Sequence, residues 1–532
     1  MTPRRLAGHI TLALSLVLLA IPAAVLVGRN MRPAEEQPPA PTVIATTPPI
    51  QAVSEDGFGA DDVLELARRL AAEPHRPPGP ITPGLEKLGY DQYRDIQFPP
   101  ERAFWSDEAT PFRLDVLPAG SLYTTPVHVS VIDDGEVEEI VPAPGMFELA
   151  PRFPDELRDK PLSISGFRLR ARLNSTSYWD EFLVFQGATY FRAVGRGQNY
   201  GLSARALALR TGDPEGEEFP LFTHFWIEKP KRNAKSITVH GLLESPSVTG
   251  AYQFVVTTGR ETRMDVTYTL FPRTDLRSVG IAPLTSMFLF DSSNRSRFDD
   301  FRPRAHDSDG LMFVTPAGEE VWRQLANPTT LQLSAFTSER PSAFGLMQRA
   351  RLFSEFQDLE ANYERRPSAW VEFPREEDAS PASRGALRLV EIPTRTEAND
   401  NIVAFWQPAQ VLPAGQPYAG SYRVTWTAES LVDRDLGRFV ATRIGANMRG
   451  DRRLVVLDLA GAGTSPDDLT LEVSASGGTV FHPLVHKNPA INGLRANFEF
   501  DPGGAQVIEF RAVVRDGDKP VSETWLYRWT AS

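Results

Sequence analysis

Apolar and polar residues alternate along much of this chain. The runs Phe112–Leu117, Val127–Ile132, Phe167–Leu173, Ile237–Leu243 and Tyr252–Val256 place apolar residues at every second position, the repeat of strands with one buried face. Between them lie Pro- and Gly-containing turns, and no repeat of 20 to 50 residues recurs, which argues against a propeller or solenoid. The stretch Ala60–Ala72 is different. Its apolar positions Val63, Leu64, Leu66, Ala67 and Leu70 follow helical spacing after Asp61 and Asp62, which predicts a short amphipathic helix. Near residues 410–440 the pattern changes. A Pro/Gly stretch, Leu412–Pro417, precedes a strand at Tyr422–Thr427 and a charged segment, Glu429–Arg438. Short strands then follow at Arg453–Leu459, Leu469–Ser474, Leu494–Phe500 and Val507–Val514. The expected architecture is all-β, with a large sandwich over 56–427, a linker at 428–437 and an immunoglobulin-like sandwich over 438–532.

Composition refines this picture. A chain of 532 residues exceeds what one core usually supports, and its 31 Phe, 12 Tyr, 9 Trp, 45 Pro and 38 Gly suit turn-rich β structure. The net charge of −12 argues against nucleic acid as a partner. With no cysteine there is neither a disulfide nor a thiolate metal site or nucleophile. At the N-terminus, Arg4 and Arg5 precede an uncharged apolar run from Ile10 to Val27. Residues 1–30 therefore read as an export signal, or as an N-terminal membrane anchor if uncleaved. Residues 31–55, with Met31–Gln51 rich in Pro, Ala, Glu and Thr, read as a flexible tether.

Candidate chemistry concentrates in the second half of the large domain. The stretch Glu391–Trp406 sets three carboxylates, Glu391, Glu397 and Asp400, between an apolar strand and the pair Phe405–Trp406. Carboxylic acids can protonate a glycosidic oxygen or activate water, while aromatic faces stack on pyranose rings. A polar turn at a strand end has the same appearance. The run Asp299–Gly310 gathers Asp299, Asp300, Asp307 and Asp309 around His306. It lacks the downstream Glu of a calcium loop, and Asx turns also account for it. The glycine-containing run Tyr190–Arg205 has no phosphate-loop signature and reads as strand, turn, strand, with Tyr190 and Tyr200 facing a groove. Tyr190, Trp226, Tyr363, Trp370 and Trp406 are candidate sugar platforms, each equally readable as core packing. Arg192 and Arg351 are candidate donors to sugar hydroxyls.

Eight motifs occur in order: Gly-Leu-Ser-Ala-Arg (201–205), Gly-Glu-Glu-Phe-Pro (216–220), Phe-Trp-Ile-Glu (225–228), Ala-Pro-Leu-Thr-Ser-Met-Phe (282–288), His-Asp-Ser-Asp-Gly (306–310), Arg-Pro-Ser-Ala-Trp (366–370), Leu-Val-Glu-Ile-Pro-Thr (389–394) and Asn-Asp-Asn-Ile-Val-Ala-Phe-Trp (399–406). With Ser-Glu-Thr-Trp at 522–525, the chain from about residue 57 onward resembles the periplasmic glucan biosynthesis proteins, the osmoregulated-glucan G and D family. The resemblance implies a large sandwich similar to the galactose mutarotase fold, an immunoglobulin-like C-terminal domain and a periplasmic location. It further implies hydrolysis or transglycosylation of β-1,2-glucan, with Asp400 as general acid and Asp307 as base. Glu391 and Glu397 would then be like charges raising the pKa of the acid. β-1,2-Glucan chains are the expected partner, together with the membrane glucan synthase and glucan-modifying enzymes, and no cofactor is expected. A non-catalytic glucan-binding protein that guides nascent chains is the alternative.

Overall fold

The computed structural model describes residues 57–337, 339–374, 383–429, 431–432, 436–461 and 468–531. The signal and tether expected over 1–55 lie outside the described residues, as do 430 and 433–435 of the expected linker. Nearly every long element is a strand. The alternation is clearest in Thr262–Pro272, where Thr262, Met264, Val266 and Tyr268 turn inward between exposed Arg263, Asp265 and Thr267.

Two large sheets make the main sandwich. The ten-stranded sheet runs through Phe112–Pro118, Ile164–Ala171, Asp180–Gln186, Tyr190–Ala193, Ser203–Arg205, Val279–Ser286, Ile402–Pro408, Gly385–Glu391 and Gln332–Phe336, with Leu207–Leu209 pairing beside this path. Opposite it lies a fifteen-stranded sheet that includes Leu221–Glu228, Ser236–Glu244, Val248–Thr257, Thr262–Pro272 and Tyr418–Thr427. Aromatic side chains from the two inner faces interlock: Phe185 lies 5.2 Å from Phe225 and 5.1 Å from Phe254, and Phe191 lies 5.9 Å from Trp426. Such close ring packing supplies both buried area and a fixed separation of the sheets. The helix Ala60–Ala71 lies on the outer side of the fifteen-stranded sheet. Its Val63, Leu66 and Ala67 cover Trp226, Leu242, Ala251 and Phe271.

The C-terminal residues form a second sandwich. A four-stranded sheet, Arg438–Ala446, Arg453–Ala460, Gly493–Asp501 and Thr479–Asn488, faces Leu469–Ala475, Val507–Asp516 and Thr524–Thr530. The second group extends the fifteen-stranded sheet, because Thr524–Thr530 pairs in parallel with Glu320–Gln324. One core therefore spans the expected linker. Met312, Trp322, Met347 and Trp370 pack in the same cluster as Phe439, Phe498, Phe510 and Trp525.

Candidate active site

The alternation that buries one face of the ten-stranded sheet turns a polar set to the other. In Phe112–Pro118 and Ile164–Ala171, Leu114, Val116, Phe167 and Leu169 enter the core while Asp115 and Arg168 point away from it. Tyr190 and Arg192 share that outer face, because the alternating Phe191 and Ala193 are buried on the other. Loops carrying Met287, Asp307, Arg366, Glu397 and Asp400 close over these residues and enclose a cavity of about 140 Å³. Its walls carry both signs of charge: Arg168, Arg192 and Arg366 against Glu181, Asp307, Glu397 and Asp400. Asp115 and Glu181 accept from Arg168 at 2.8 and 3.0 Å, so one guanidinium braces two strands.

Asp400 is placed by its neighbour. The buried Asn401 donates from Nδ2 to the carbonyls of Phe288 and Ile392, each at 3.0 Å, and accepts the Phe288 N–H at 2.7 Å. These bonds pin the entry to the strand Ile402–Pro408, and the preceding carboxylate points into the cavity. The Asp400 side chain is 15 % exposed, with Arg192 Nη2 3.9 Å from its Oδ2. That oxygen has no hydrogen-bond partner among the described residues, and neither does Oδ1 of Asn399 in the same cavity wall. Burial pushes the Asp400 carboxyl up to about 6; Arg192 pulls it down and the charge of Asp307 adds to the rise.

Asp307 directly follows the short strand Ala305–His306, and its N–H donates to Met287 O at 2.8 Å. Its carboxylate is ion-paired with buried Arg366, whose guanidinium stacks 4.2 Å above the Tyr363 ring. The rest of that acidic run is structural. His306 stacks on Phe288 at 5.3 Å, and Asp309 accepts the N–H groups of Arg349 and Ala350 at 2.5 and 2.9 Å.

Five of the candidates, Tyr190, Arg192, Asp307, Glu397 and Asp400, come together on this cavity although they are up to about 210 residues apart. The others lie elsewhere. Trp226 is under the N-terminal helix, Trp370 is in the core shared with the C-terminal sandwich, and Trp406 is in the main core. All three are at most 2 % exposed and have no free face for a sugar. Tyr363 is buried too and donates to Glu397 at 2.8 Å, bracing the cavity wall instead of offering a platform. Arg351 donates to the backbone carbonyls of Glu364 and Arg366 and does not line the cavity. Glu391 is buried against Arg323 at 3.0 Å and the Ala326 N–H at 2.8 Å. Glu397 accepts from Arg302 at 2.7 Å. The nearby like charge acting on Asp400 is therefore Asp307, in place of the expected Glu391 and Glu397. Tyr200 lines the cavity beside Tyr190, as expected of the groove, whereas Arg168, Glu181, Arg366 and Asn399 were not anticipated as lining residues. The polar positions inside Phe167–Leu173 were a visible signal for Arg168, and Arg366 and Asn399 each begin a recognised motif.

The fold and site define a two-sandwich β protein with two carboxylates on one charged cavity, and comparison with known proteins narrows that class. The family model for the periplasmic glucan biosynthesis protein MdoG matches residues 58–529, and the chain belongs to this family. Glucans biosynthesis protein G from Shewanella sp. (strain MR-4) is 43% identical over 512 residues, covering 94% of this chain and 93% of that protein. The protein of the same name from Vibrio cholerae serotype O1 (strain M66-2) is 44% identical over 478 residues, covering 89% and 87%. A solved structure, the Slr1438 protein from Synechocystis sp. PCC 6803, covers 67% of this chain and 98% of its own at 9% identity, but its TM-score of 0.17 is too low to bear on the fold. No helix of the described residues is long and apolar enough to cross a membrane.

Proposed function

We propose that this protein acts in the periplasm on the β-1,2-glucan backbone as an endo-acting glycoside hydrolase, with Asp400 as general acid and Asp307 as base. The observation that carries this reading is the contrast between the two carboxyls on one cavity. Asp400 is desolvated and titrates at about 6, so about a tenth is still protonated at pH 7, far more than for an ordinary Asp. Asp307 is buried on the same cavity and ion-paired with the Arg366 guanidinium. In the reaction, Asp400 gives its proton to the leaving glycosidic oxygen, directly or through a sugar hydroxyl. Water attacks the anomeric carbon as that bond breaks, and its proton passes to Asp307. Arg192 and Asn399 offer polar groups to the sugar hydroxyls, and the Tyr190 ring lines the same wall. The linkage preference, and the membrane glucan synthase and glucan-modifying enzymes as partners, follow from the family resemblance.

Incubating the full chain with linear β-1,2-glucan tests this. Wild-type protein is expected to shorten the chains, and Asp400→Asn to lose at least about a hundredfold in turnover while still binding glucan. Unchanged chain length with wild-type protein would leave a glucan-binding protein as the correct reading. Cyclic products would instead identify transfer, with a sugar hydroxyl in the place of water.

A further inference from the structure

The motif Ser522-Glu-Thr-Trp525 lies in the C-terminal sandwich, in a different unit from the cavity, yet its acidic residue is buried against the large domain. Glu523 accepts both terminal nitrogens of Arg349, at 2.5 and 2.8 Å, and the Phe439 N–H at 2.8 Å. Arg349 in turn donates to Phe439 O at 2.8 Å, and its guanidinium lies 3.5 Å above the Trp322 ring. A bidentate pair with its carboxylate buried in this way fixes the orientation of both side chains, more than it adds to net stability.

Two lines of contact lead from Arg349 to Asp307. The N–H groups of Arg349 and Ala350 donate to Asp309 Oδ2, and the Asp309 N–H donates to Met347 O at 2.8 Å, which sets the loop containing Asp307. Two residues beyond Arg349, Arg351 donates to the carbonyl of Arg366, the ion-pair partner of Asp307, and to Ser368 Oγ at 3.2 Å. The segment 349–351 therefore holds both the backbone of the base and the cation opposite its carboxylate. Glu523 holds that segment from the other domain.

We infer that the C-terminal sandwich completes the active site, with Glu523 as a positioning residue that acts through Arg349 to hold Asp307 and Arg366 in register. The inference rests on the proposed roles of the two carboxylates and gives the second sandwich a task in catalysis. A displacement of about 1 Å in a reacting group can cost up to a hundredfold in rate, so loss of this clamp is expressed in turnover before binding.

Glu523→Gln in the full chain tests it, with Phe500→Leu as a control that disturbs the C-terminal core away from Arg349. Hydrogen exchange of a peptide spanning 305–310 and steady-state turnover of linear β-1,2-glucan are measured on both. For Glu523→Gln, exchange at 305–310 is expected to rise at least about tenfold, with kcat falling about tenfold to a hundredfold and KM within about twofold of wild type. Phe500→Leu is expected to leave both near wild type at a comparable loss of Tm. Wild-type exchange at 305–310 in Glu523→Gln overturns the inference, as does equal loosening in the control or unchanged turnover. If wild-type protein cleaves no glucan, the hydrolase reading falls, and the exchange comparison still decides whether Glu523 positions the loop.

Discussion

A carboxyl that is to donate a proton near neutral pH, the role proposed for Asp400, has to be kept from ionising, and burial does most of this here. With the group at about 6, its protonated fraction falls as pH rises through that value, so glucan cleavage is expected to decline on the alkaline side of about 6. Arg192 pulls the same carboxyl down, so Arg192→Met should move the alkaline limb of the pH–kcat profile upward. A limb that stays in place would remove Asp400 as the titrating acid. Stability has a related sign. The folded state holds a proton that an unfolded Asp releases near its ordinary value of about 3.9, so this group makes folding less favourable as pH rises from there through about 6. Asp400→Asn is therefore expected to be more stable than wild type at pH 7, by up to about 3 kcal/mol, and equal to it below pH 4, as chemical denaturation would measure. The indoles show the reverse situation, in which residue type misleads. Trp226, Trp370 and Trp406 sit in motifs shared with glucan proteins and fill cores, because a large apolar ring is worth more buried than exposed.

Strands and loops contribute differently to the cavity. Asn401 holds the loop before Ile402–Pro408 by satisfying both backbone groups of Phe288 and the carbonyl of Ile392. Asn401→Ala leaves these buried groups unpaired and is expected to cost about 3 kcal/mol in a urea unfolding experiment, with turnover lowered in the fraction that remains folded. A Cβ on Gly201 would come within 2.9 Å of the Arg366 Cβ, so Gly201→Ala is expected to displace the ion-pair partner of Asp307. The check is a drop in kcat with little loss of Tm. The strands themselves were legible in the sequence: the expected Ile237–Leu243 lies inside Ser236–Glu244, and the expected Val507–Val514 inside Val507–Asp516. The helix expected over Ala60–Ala72 is observed over Ala60–Ala71. The loops over the cavity were not legible, since irregular backbone has no repeat to read. Their anchors, such as Arg302 bonding Asp358 and Glu397, are long-range charge pairs that no local pattern encodes. Asp307 and Asp400 were named together only because the motifs resemble a family, while the pairing of Asp307 with Arg366 needed coordinates.

At the scale of the whole molecule, two sandwiches share one sheet and one core. A chain ending at residue 429 would uncover Met312, Trp322 and Trp370 and leave Glu320–Gln324 as an open edge. Such a truncation is expected to bind a hydrophobic dye and to associate, instead of giving an active large domain, as size-exclusion chromatography would show. The parallel pairing at that edge also sets a clock. A chain is synthesised from its N-terminus, and Thr524, which reaches Glu319 from 205 positions further along, is made long after it. Glu320–Gln324 must therefore wait for Thr524–Thr530 to be made before its parallel neighbour exists. Pairings of such separation are slow to close and leave sticky edges in the meantime. Closure of that edge is thus a late event in the maturation of the fold, reached only after Thr524–Thr530 has docked.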